Sequence, residues 1–387
     1  LPASAAAPPE WSALLELCSS RASLDARSSL AGLSPQGLIA IAEAHGVTGL
    51  LAKKLLPVEN KPSRGSLQEI LCGLRRGRLL ASMALIAEMF RVLEILRGAE
   101  VAAAVVKGPP LSVRAFANPS FRQYVDVDFL IRSSEIERAS GALLAAGFRG
   151  EISADAVGKR KSPGQYTFRR SKDRPLIELH TERTLRYFPK PVPIEEFLRR
   201  RTTVTIDSRV VPVLSVEDEF VLLAVHGAKH FWERLMWIAD IAALVANYPQ
   251  MDWTRVQKTA EGVGADRMVR VALLLAERTL QAPIPAEMST EIESDRACLR
   301  IVNKIESWLL YAGQQPPALL ARALFRFQMR GRLLAGAGYL TRLTLSPTEE
   351  DWIEGSNERA ASLRESLRRP FRLARKYRRD QKETGQG

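Results

Sequence analysis

Apolar residues set the first outline of the chain. Leu14, Leu15 and Leu17, then Leu38, Ile39, Ile41 and Ala42, recur at helical spacing. Ser34-Pro35 supplies an N-cap followed by a first-turn proline. A loop is predicted over Asn60-Lys-Pro-Ser-Arg-Gly65. A long amphipathic helix follows from about Leu67 to Arg97, with Leu85, Met89, Val92, Leu93 and Leu96 along one face.

The period changes at Gly98. Val101-Ala-Ala-Ala-Val-Val106 is a short apolar run with three β-branched residues that ends at Lys107-Gly108, as a buried strand would. Tyr124 to Ile131 reads as a second strand. Ser133 or Ser134 can cap a helix carrying Ile136, Leu143 and Leu144, which stops at Gly147. Tyr166-Thr-Phe168 and Pro175 to His180 predict two more strands. Val204 to Ile206 and Val210 to Leu214 flank Asp207-Ser208-Arg209 as a hairpin. From Ser215 the helical period returns, opened by Ser215-Val-Glu-Asp218 in capping-box form with Asp218 in place of the usual Glu. It continues to about residue 343 with breaks near Pro249 and Pro283, and Ser346-Pro347 starts a late helix. The expected class is α+β, a small mixed sheet inside a helical frame. Its parts are an N-terminal helical region over 1–100, an α+β core over 101–214, a C-terminal helical region over 215–345 and a basic helical tail over 346–387.

Composition narrows the class. The 387 residues are 46% hydrophobic and 26% charged, as in soluble globular proteins with room for two or three compact units. No apolar run approaches the roughly 18 residues of a membrane span. The opening Leu-Pro-Ala-Ser-Ala-Ala-Ala-Pro-Pro lacks a basic n-region and does not read as a signal peptide. Cys18, Cys72 and Cys298 are scattered and odd in number, which fits neither a disulfide framework nor a metal knuckle. They read as small hydrophobes in a reducing compartment, so the expected location is cytoplasmic. The net charge of +13 is concentrated at Arg75-Arg76-Gly-Arg78, at Lys159-Arg160-Lys161 and in the tail from Arg368 to Lys382. Such a balance favours polyanions (nucleotides, nucleic acid or an acidic membrane surface), or serves solubility alone.

The chemistry centres on two carboxylates. Residues two apart in a strand share a side, so Asp126 and Asp128 project together while Val127 and Phe129 face away. Val125, Val127, Phe129, Leu130 and Ile131 read as buried, and paired acids resist burial unless a divalent cation offsets the cost. Mg²⁺ (or Mn²⁺) suits carboxylate oxygens and substrate phosphates. The plainer alternative is an exposed strand with two solvated acids. Glu178 and His180 share one face of their own strand. If that strand lies beside the first, Glu178 completes a triad with Asp126 and Asp128, enough for two metal ions. Lys107-Gly108 sits at a strand-to-helix turn, where glycine admits a phosphate close to the backbone and lysine adds a point charge. Arg122 can clamp phosphate as well.

Taken in order, Lys107-Gly108, Arg122-x3-Asp126-x-Asp128-Phe-Leu-Ile131 and Ile177-Glu-Leu-His180 resemble the DNA polymerase β-like nucleotidyltransferase superfamily. More narrowly they resemble a bacterial branch with a Lys-Gly loop, an Arg-x3-Asp-x-Asp strand and a Glu-Leu-His strand. The segment from His226 through His230 and Arg234-Leu-Met-Trp237 to Asp240 is similar to that branch's helical motif, and Arg369 to Tyr377 to its closing segment. The resemblance implies an enzyme that moves a nucleoside monophosphate from an NTP to a small molecule, a protein or RNA, with release of pyrophosphate. It implies Mg²⁺ held by Asp126, Asp128 and Glu178, which are also the catalytic acids, and nucleotide contacts from Lys107, Gly108, Ser112, Arg122 and His180.

One departure stands out. Pro109 and Pro110 offer no N–H where the superfamily's loop holds phosphate, leaving Ser112, Lys107 and Arg122 to compensate. An alternative reading follows: a weak or inactive nucleotidyltransferase-fold module that binds RNA or another polyanion, with the basic tail as a contact. His226 and His230 share a helical face but lack the Glu of a His-Glu-x-x-His zinc site. They read either as a polar seam with Lys229 and Arg234 facing the cleft, or as satisfied core histidines. Trp232 and Trp237 read as packing residues.

Overall fold

A computed structural model of the chain describes residues 7–20, 30–56, 66–152, 164–182, 192–310 and 319–331, with positions 157, 190, 336 and 338 besides. The N-terminal apolar pattern folds as α1 (Pro9–Cys18), α2 (Pro35–Ala44) and α3 (Thr48–Leu55). Ser34 caps α2 as expected, its hydroxyl accepting the Gly37 N–H at 3.1 Å with Pro35 in the first turn. The long helix α4 (Leu67–Gly98) is capped in the same way by Ser66 and buries Leu85, Met89, Val92, Leu93 and Leu96.

Seven strands form one sheet in the order β3-β4-β5-β2-β1-β7-β6. They are β1 (Ala104–Val106), β2 (Asp126–Leu130), β3 (Arg149–Gly150), β4 (Gln165–Arg169), β5 (Leu176–His180), β6 (Thr202–Ile206) and β7 (Arg209–Val213). The pairs β2–β5 and β1–β7 are parallel and the others antiparallel, so the sheet is mixed and the class is α+β as expected. The hairpin between β6 and β7 turns on Asp207 and Ser208, both at positive φ (47° and 63°), the pairing of a type I′ turn.

The strand carrying the acids is shorter than its pattern suggests. It starts at Asp126, and Val125, expected to be buried, is 72% exposed. The loop ahead of it is held by its own bonds, among them the Tyr124 hydroxyl donating to the Pro119 carbonyl at 2.6 Å. The apolar run from Val101 is buried as expected but pairs only from Ala104. Ser133 does not cap a helix. Its hydroxyl and its N–H both donate to Glu182, and a 3-10 turn (Ser133–Glu135) leads into α6 (Ile136–Ala145). The two-residue strand β3 is too short to show a period.

Each face of the sheet has its own cover. Val105, Val127, Phe129, Ile177, Leu179, Val211 and Val213 pack under α4 and α6. Burying each such side chain contributes roughly 1.5–3 kcal/mol. Ala104, Val106 and Leu130 face the opposite way, toward α5 (Gly108–Phe116), α8 (Val216–Lys229) and α9 (Leu235–Asn247). That second core also takes in α1 to α3, so the N-terminal helices join the C-terminal frame: the Ser20 N–H donates to the Leu280 carbonyl at 2.9 Å. Helix α7 (Ile194–Arg199) precedes β6, and α10 (Trp253–Val263), α11 (Asp266–Leu280), α12 (Ala286–Ser294), α13 (Arg296–Leu309) and α14 (Leu319–Gln328) complete the frame. The breaks at Pro249 and Pro283 fall just past the ends of α9 and α11.

Ser215 caps α8, accepting the Asp218 N–H at 3.3 Å, but the box is only half formed. The Asp218 carboxylate instead accepts two hydrogen bonds from Arg200, at 2.8 and 3.0 Å. The three cysteines are free, Cys298 buried and the other two half-buried. No helix among the described residues is long and apolar enough to cross a membrane. The loop at 60–65, the Lys159-Arg160-Lys161 cluster, the late helix from Ser346 and the basic tail lie outside the described residues.

Candidate active site

Register brings the acids together. Along the parallel pair β2–β5, Asp126 lies opposite Leu176, Asp128 opposite Glu178 and Leu130 opposite His180. The intervening Val127, Phe129, Ile177 and Leu179 are wholly buried on the far face, which pins the pleat and leaves the acids no second orientation. Strand adjacency, a condition for the expected triad, is therefore met.

Asp128 is the buried centre of the cluster, 6% exposed. Lys107 Nζ lies 3.0 Å from its Oδ2, and His180 Nε2 lies 3.0 Å from its Oδ1. The same His180 nitrogen is 3.1 Å from Glu178 Oε2, which also accepts from Gln165 Nε2 at 2.9 Å. Burial alone would raise the Asp128 carboxyl, but Lys107 and His180 hold it well below the ordinary carboxylate range. Burial would lower the His180 imidazole; the Asp128 and Glu178 carboxylates outweigh it and lift it to about 9. Asp126 is raised to about 6 by burial and by the charge of Asp128. Like charges are thus crowded here and offset by a protonated histidine and a lysine.

Those residues suit a divalent cation. Among the described residues, Asp128, Glu178 and His180 each offer a ligand atom within 4.8 Å of the others. This set adds His180, expected as a nucleotide contact, and does not include Asp126. Asp126 stands on the same face, close enough to feel Asp128, Lys107 and Glu178. Two carboxylates and an imidazole, once the ion displaces the ring proton that the carboxylates now hold, are ligands a hard or borderline ion accepts.

Lys107 follows β1 as the N-cap of α5 at φ 61° and ψ −143°, and Gly108 comes next at φ 56°. Two successive positive φ values swing the chain from strand into α5 and aim the Lys107 side chain back across β2. Helix α5 then opens on Gly108, Pro109 and Pro110, and the next N–H, from Leu111, donates to the Lys107 carbonyl. Within that first turn only Gly108 has an N–H that is not committed to the helix, so the cation at this turn is the Lys107 side chain.

Ser112 and Arg122 are engaged inside the protein. Ser112 is wholly buried; its hydroxyl donates to the Asn118 carbonyl at 2.6 Å and accepts the Arg122 N–H at 3.1 Å. It shapes the loop ahead of β2 rather than opening to the cleft. The Arg122 guanidinium is buried against Asp240 of α9, with Nε 2.9 and 3.0 Å from the two carboxylate oxygens. Burial disfavours its charge, yet Asp240 keeps it firmly protonated, and Asp126 is near enough to add to that effect.

His226 and His230 border the acids at the end of α8. Lys107 Nζ is 3.4 Å from His226 Nδ1; since an ammonium only donates, Nδ1 accepts and the ring proton sits on Nε2. The two imidazoles lie 4.7 Å apart, and Trp237 packs against both, at 5.5 and 5.2 Å. Burial followed by Lys107 pushes His226 well below its ordinary value, and burial followed by Lys229 takes His230 to about 3. Both rings are therefore neutral; they are half-buried beside Lys107, Lys229 is half-buried as well, and Arg234 is exposed. Trp232 is wholly buried, a packing residue as expected, while Trp237 is only partly buried.

Two participants carry weaker signals. Asp240 is a lone carboxylate in the apolar run Leu235 to Val245, a pattern that asks for a buried partner. Gln165, at the start of β4, has nothing in its surroundings to mark it.

A family model described as an uncharacterised nucleotidyltransferase matches residues 32–281, well over half of the chain. No curated protein matches it.

Proposed function

Because the chain belongs to this nucleotidyltransferase family, we propose that it transfers a nucleoside monophosphate from an NTP to an acceptor, with Mg²⁺ (or Mn²⁺) and release of pyrophosphate. The observation that carries the reading is the register of Asp128 against Glu178 on parallel neighbours, with Lys107 Nζ 3.0 Å from Asp128. Asp128, Glu178 and His180 are the first candidates to hold the metal, with Asp126 beside them. Bound there, the ion would polarise phosphate oxygens and share the charge of the leaving group.

The chain's own groups position and neutralise. Lys107 carries positive charge into the acid cluster, where the nucleotide's phosphates would otherwise meet carboxylates alone. The acceptor's hydroxyl oxygen bonds to the α-phosphorus, and the bond from that phosphorus to the bridging oxygen breaks. Pyrophosphate leaves with the electron pair, and the acceptor's proton passes to a carboxylate of the cluster. Asp126, on the same strand face as Asp128, is the candidate to accept it. The acceptor is a small molecule, a protein side chain or an RNA end. Free cysteines and a net charge of +13 agree with work on polyanionic substrates in a reducing cytoplasm.

Incubation with labelled NTPs and cell extract should label one class of molecule in a metal-dependent way. Asp128→Asn and Asp126→Ala should each abolish pyrophosphate release, and turnover retained in either variant overturns the mechanism. A second reading draws on the proline-bearing first turn of α5: a nucleotidyltransferase-fold module that binds RNA or another polyanion. It predicts thermal stabilisation by polyanions without metal, weakened steeply by salt, and none by NTP with Mg²⁺.

A further inference from the structure

The first turn of α5 leaves a problem in phosphate recognition. Pro109 and Pro110 remove two of the N–H groups that such a turn would aim at a triphosphate, and Leu111 spends its own on Lys107. Arg122 and Ser112 are both committed to internal partners. The Lys107 side chain and the Gly108 N–H are what this turn leaves to face a polyphosphate.

Positive charge gathers instead at the end of α8. The four cations that bear on His230 come from four parts of the chain: Lys229 from α8, Arg234 from the turn into α9, Arg326 from α14, and Lys107 from the edge of the acid cluster. The Arg326 guanidinium stacks on the Phe231 ring at 4.9 Å, with Arg322 beside it at 5.4 Å. Their Nε atoms are buried and have no hydrogen-bond partner among the described residues. The Arg234 guanidinium lies over Trp237 at 6.0 Å. Glu233 lies half-buried near Arg322 and Arg234. His226, whose Nδ1 is 3.4 Å from Lys107 Nζ, and His230, 4.7 Å from His226, link this corner to Lys107 beside the acids.

The corner is also built with strain. Phe231 and Trp232 both take left-handed conformations, at φ 60° and 54°, unusual for bulky residues and seldom found in succession. The turn is locked by the Trp232 N–H donating to the Gly227 carbonyl at 2.9 Å and by the Trp232 ring lying on Gly227, where a Cβ would come within 2.5 Å. This reversal returns α9 against α8, bringing Trp237 onto the histidines and Arg234 to their side.

We propose that Lys229, Arg234 and Arg326 form the subsite for the terminal phosphates of the nucleotide, the part that leaves as pyrophosphate, taking over from the missing loop N–H groups. The assignment rests on the nucleotidyl-transfer reading, for which it names the leaving-group site. Arginine and lysine at three corners suit a diphosphate, whose oxygens accept several charge-assisted hydrogen bonds at once.

The test is calorimetric titration of the full chain with inorganic pyrophosphate and Mg²⁺, wild type beside Lys229→Ala, Arg234→Ala and Arg326→Ala. Each variant should weaken pyrophosphate at least 5-fold. Each should also shrink the affinity advantage of ATP over AMP by a similar factor, with AMP affinity itself unchanged. Arg326→Lys should recover part of the loss, which distinguishes a charge role from mere packing on Phe231. Exposed Arg234 keeps the test sound should an Arg326 variant fail to fold. Unchanged pyrophosphate affinity in folded variants overturns the subsite, as does a wild-type chain that binds no pyrophosphate. A shift confined to the KM of a phosphorylated acceptor would also overturn it, placing the acceptor's phosphate there. Pyrophosphate binding that depends on these cations in a chain without transferase activity would sink the functional reading and leave the subsite standing.

Discussion

Arg122 and Asp240, 118 residues apart, meet as a buried ion pair with Arg122 Nε 2.9 and 3.0 Å from the two carboxylate oxygens. The pair joins the loop that delivers Asp126 into the sheet to a helix of the C-terminal frame. A buried pair adds little net stability over an apolar one, but removing one partner strands a charge. Arg122→Met and Asp240→Leu should each cost about 3–5 kcal/mol. The double variant should recover most of that in stability while nucleotidyl transfer stays impaired, because the loop before Asp126 has lost its anchor. Denaturant unfolding of the four proteins checks this; single variants as stable as wild type would deny the pair its structural role.

Lys107 combines charge with a backbone conformation that suits glycine. At φ 61° and ψ −143°, a non-glycine residue bears strain on the order of 1–3 kcal/mol. Lys107→Ala and Lys107→Gly remove the same ammonium, so their difference isolates the backbone. Lys107→Gly should be the more stable of the two by about 1–2 kcal/mol, with both equally inactive. Equal stabilities would mean the turn relaxes without cost.

The acid strands were readable because period-two alternation is a local signal: Asp126 and Asp128, like Glu178 and His180, had to share a face whatever their neighbours. The pairing of β2 with β5 was a condition that only the fold could meet, and it did. Local pattern failed where a long-range bond prevailed. Val125 looks like strand but stays exposed because the loop before it closes on itself through Tyr124 and Pro119. Ser133 looks like a cap but bonds to Glu182. Arg122 and Ser112 are polar enough to contact a nucleotide, and nothing local could reveal that Asp240 and Asn118 already hold them. No local pattern singles out Arg322 and Arg326, which α14 brings onto Phe231.

His45 gives the fold a dependence on pH. It is 2% exposed, its Nδ1 accepts the Leu235 N–H at 3.1 Å, and its carbonyl accepts the Met236 N–H at 3.1 Å. One residue thereby satisfies two donors in the first turn of α9. Burial, then Arg234, pushes its imidazole down to about 4. The unfolded chain takes up this proton near pH 6.5 and the folded chain does not. The stability it contributes is therefore complete above about pH 6.5 and is lost as pH falls toward 4, by on the order of 3 kcal/mol. Urea unfolding between pH 7.5 and 4 should show a slope that declines by about one proton in His45→Asn. An unchanged slope would mean that His45 protonates in place.

The corner after α8 offers the most direct test of how backbone strain supports the site. Alanine in place of a helical glycine ordinarily stabilises by about 0.5–1 kcal/mol. At Gly227 the added Cβ would lie 2.5 Å from the Trp232 ring, which is wholly buried and cannot swing aside. Overpacking of this kind costs about 1–3 kcal/mol, so the steric effect should win and Gly227→Ala should be less stable than wild type. Relief can come only from moving Trp232, and with it the left-handed pair Phe231-Trp232 that sets Arg234 and Trp237. Pyrophosphate affinity should therefore fall with stability, although Gly227 touches no phosphate. Trp232→Phe opens space over the glycine, and combining it with Gly227→Ala should cost less than the sum of the two changes, a coupling measurable by a double-mutant cycle. Additive effects would show that the ring and the glycine do not constrain each other, and that the turn is held by its backbone bonds alone.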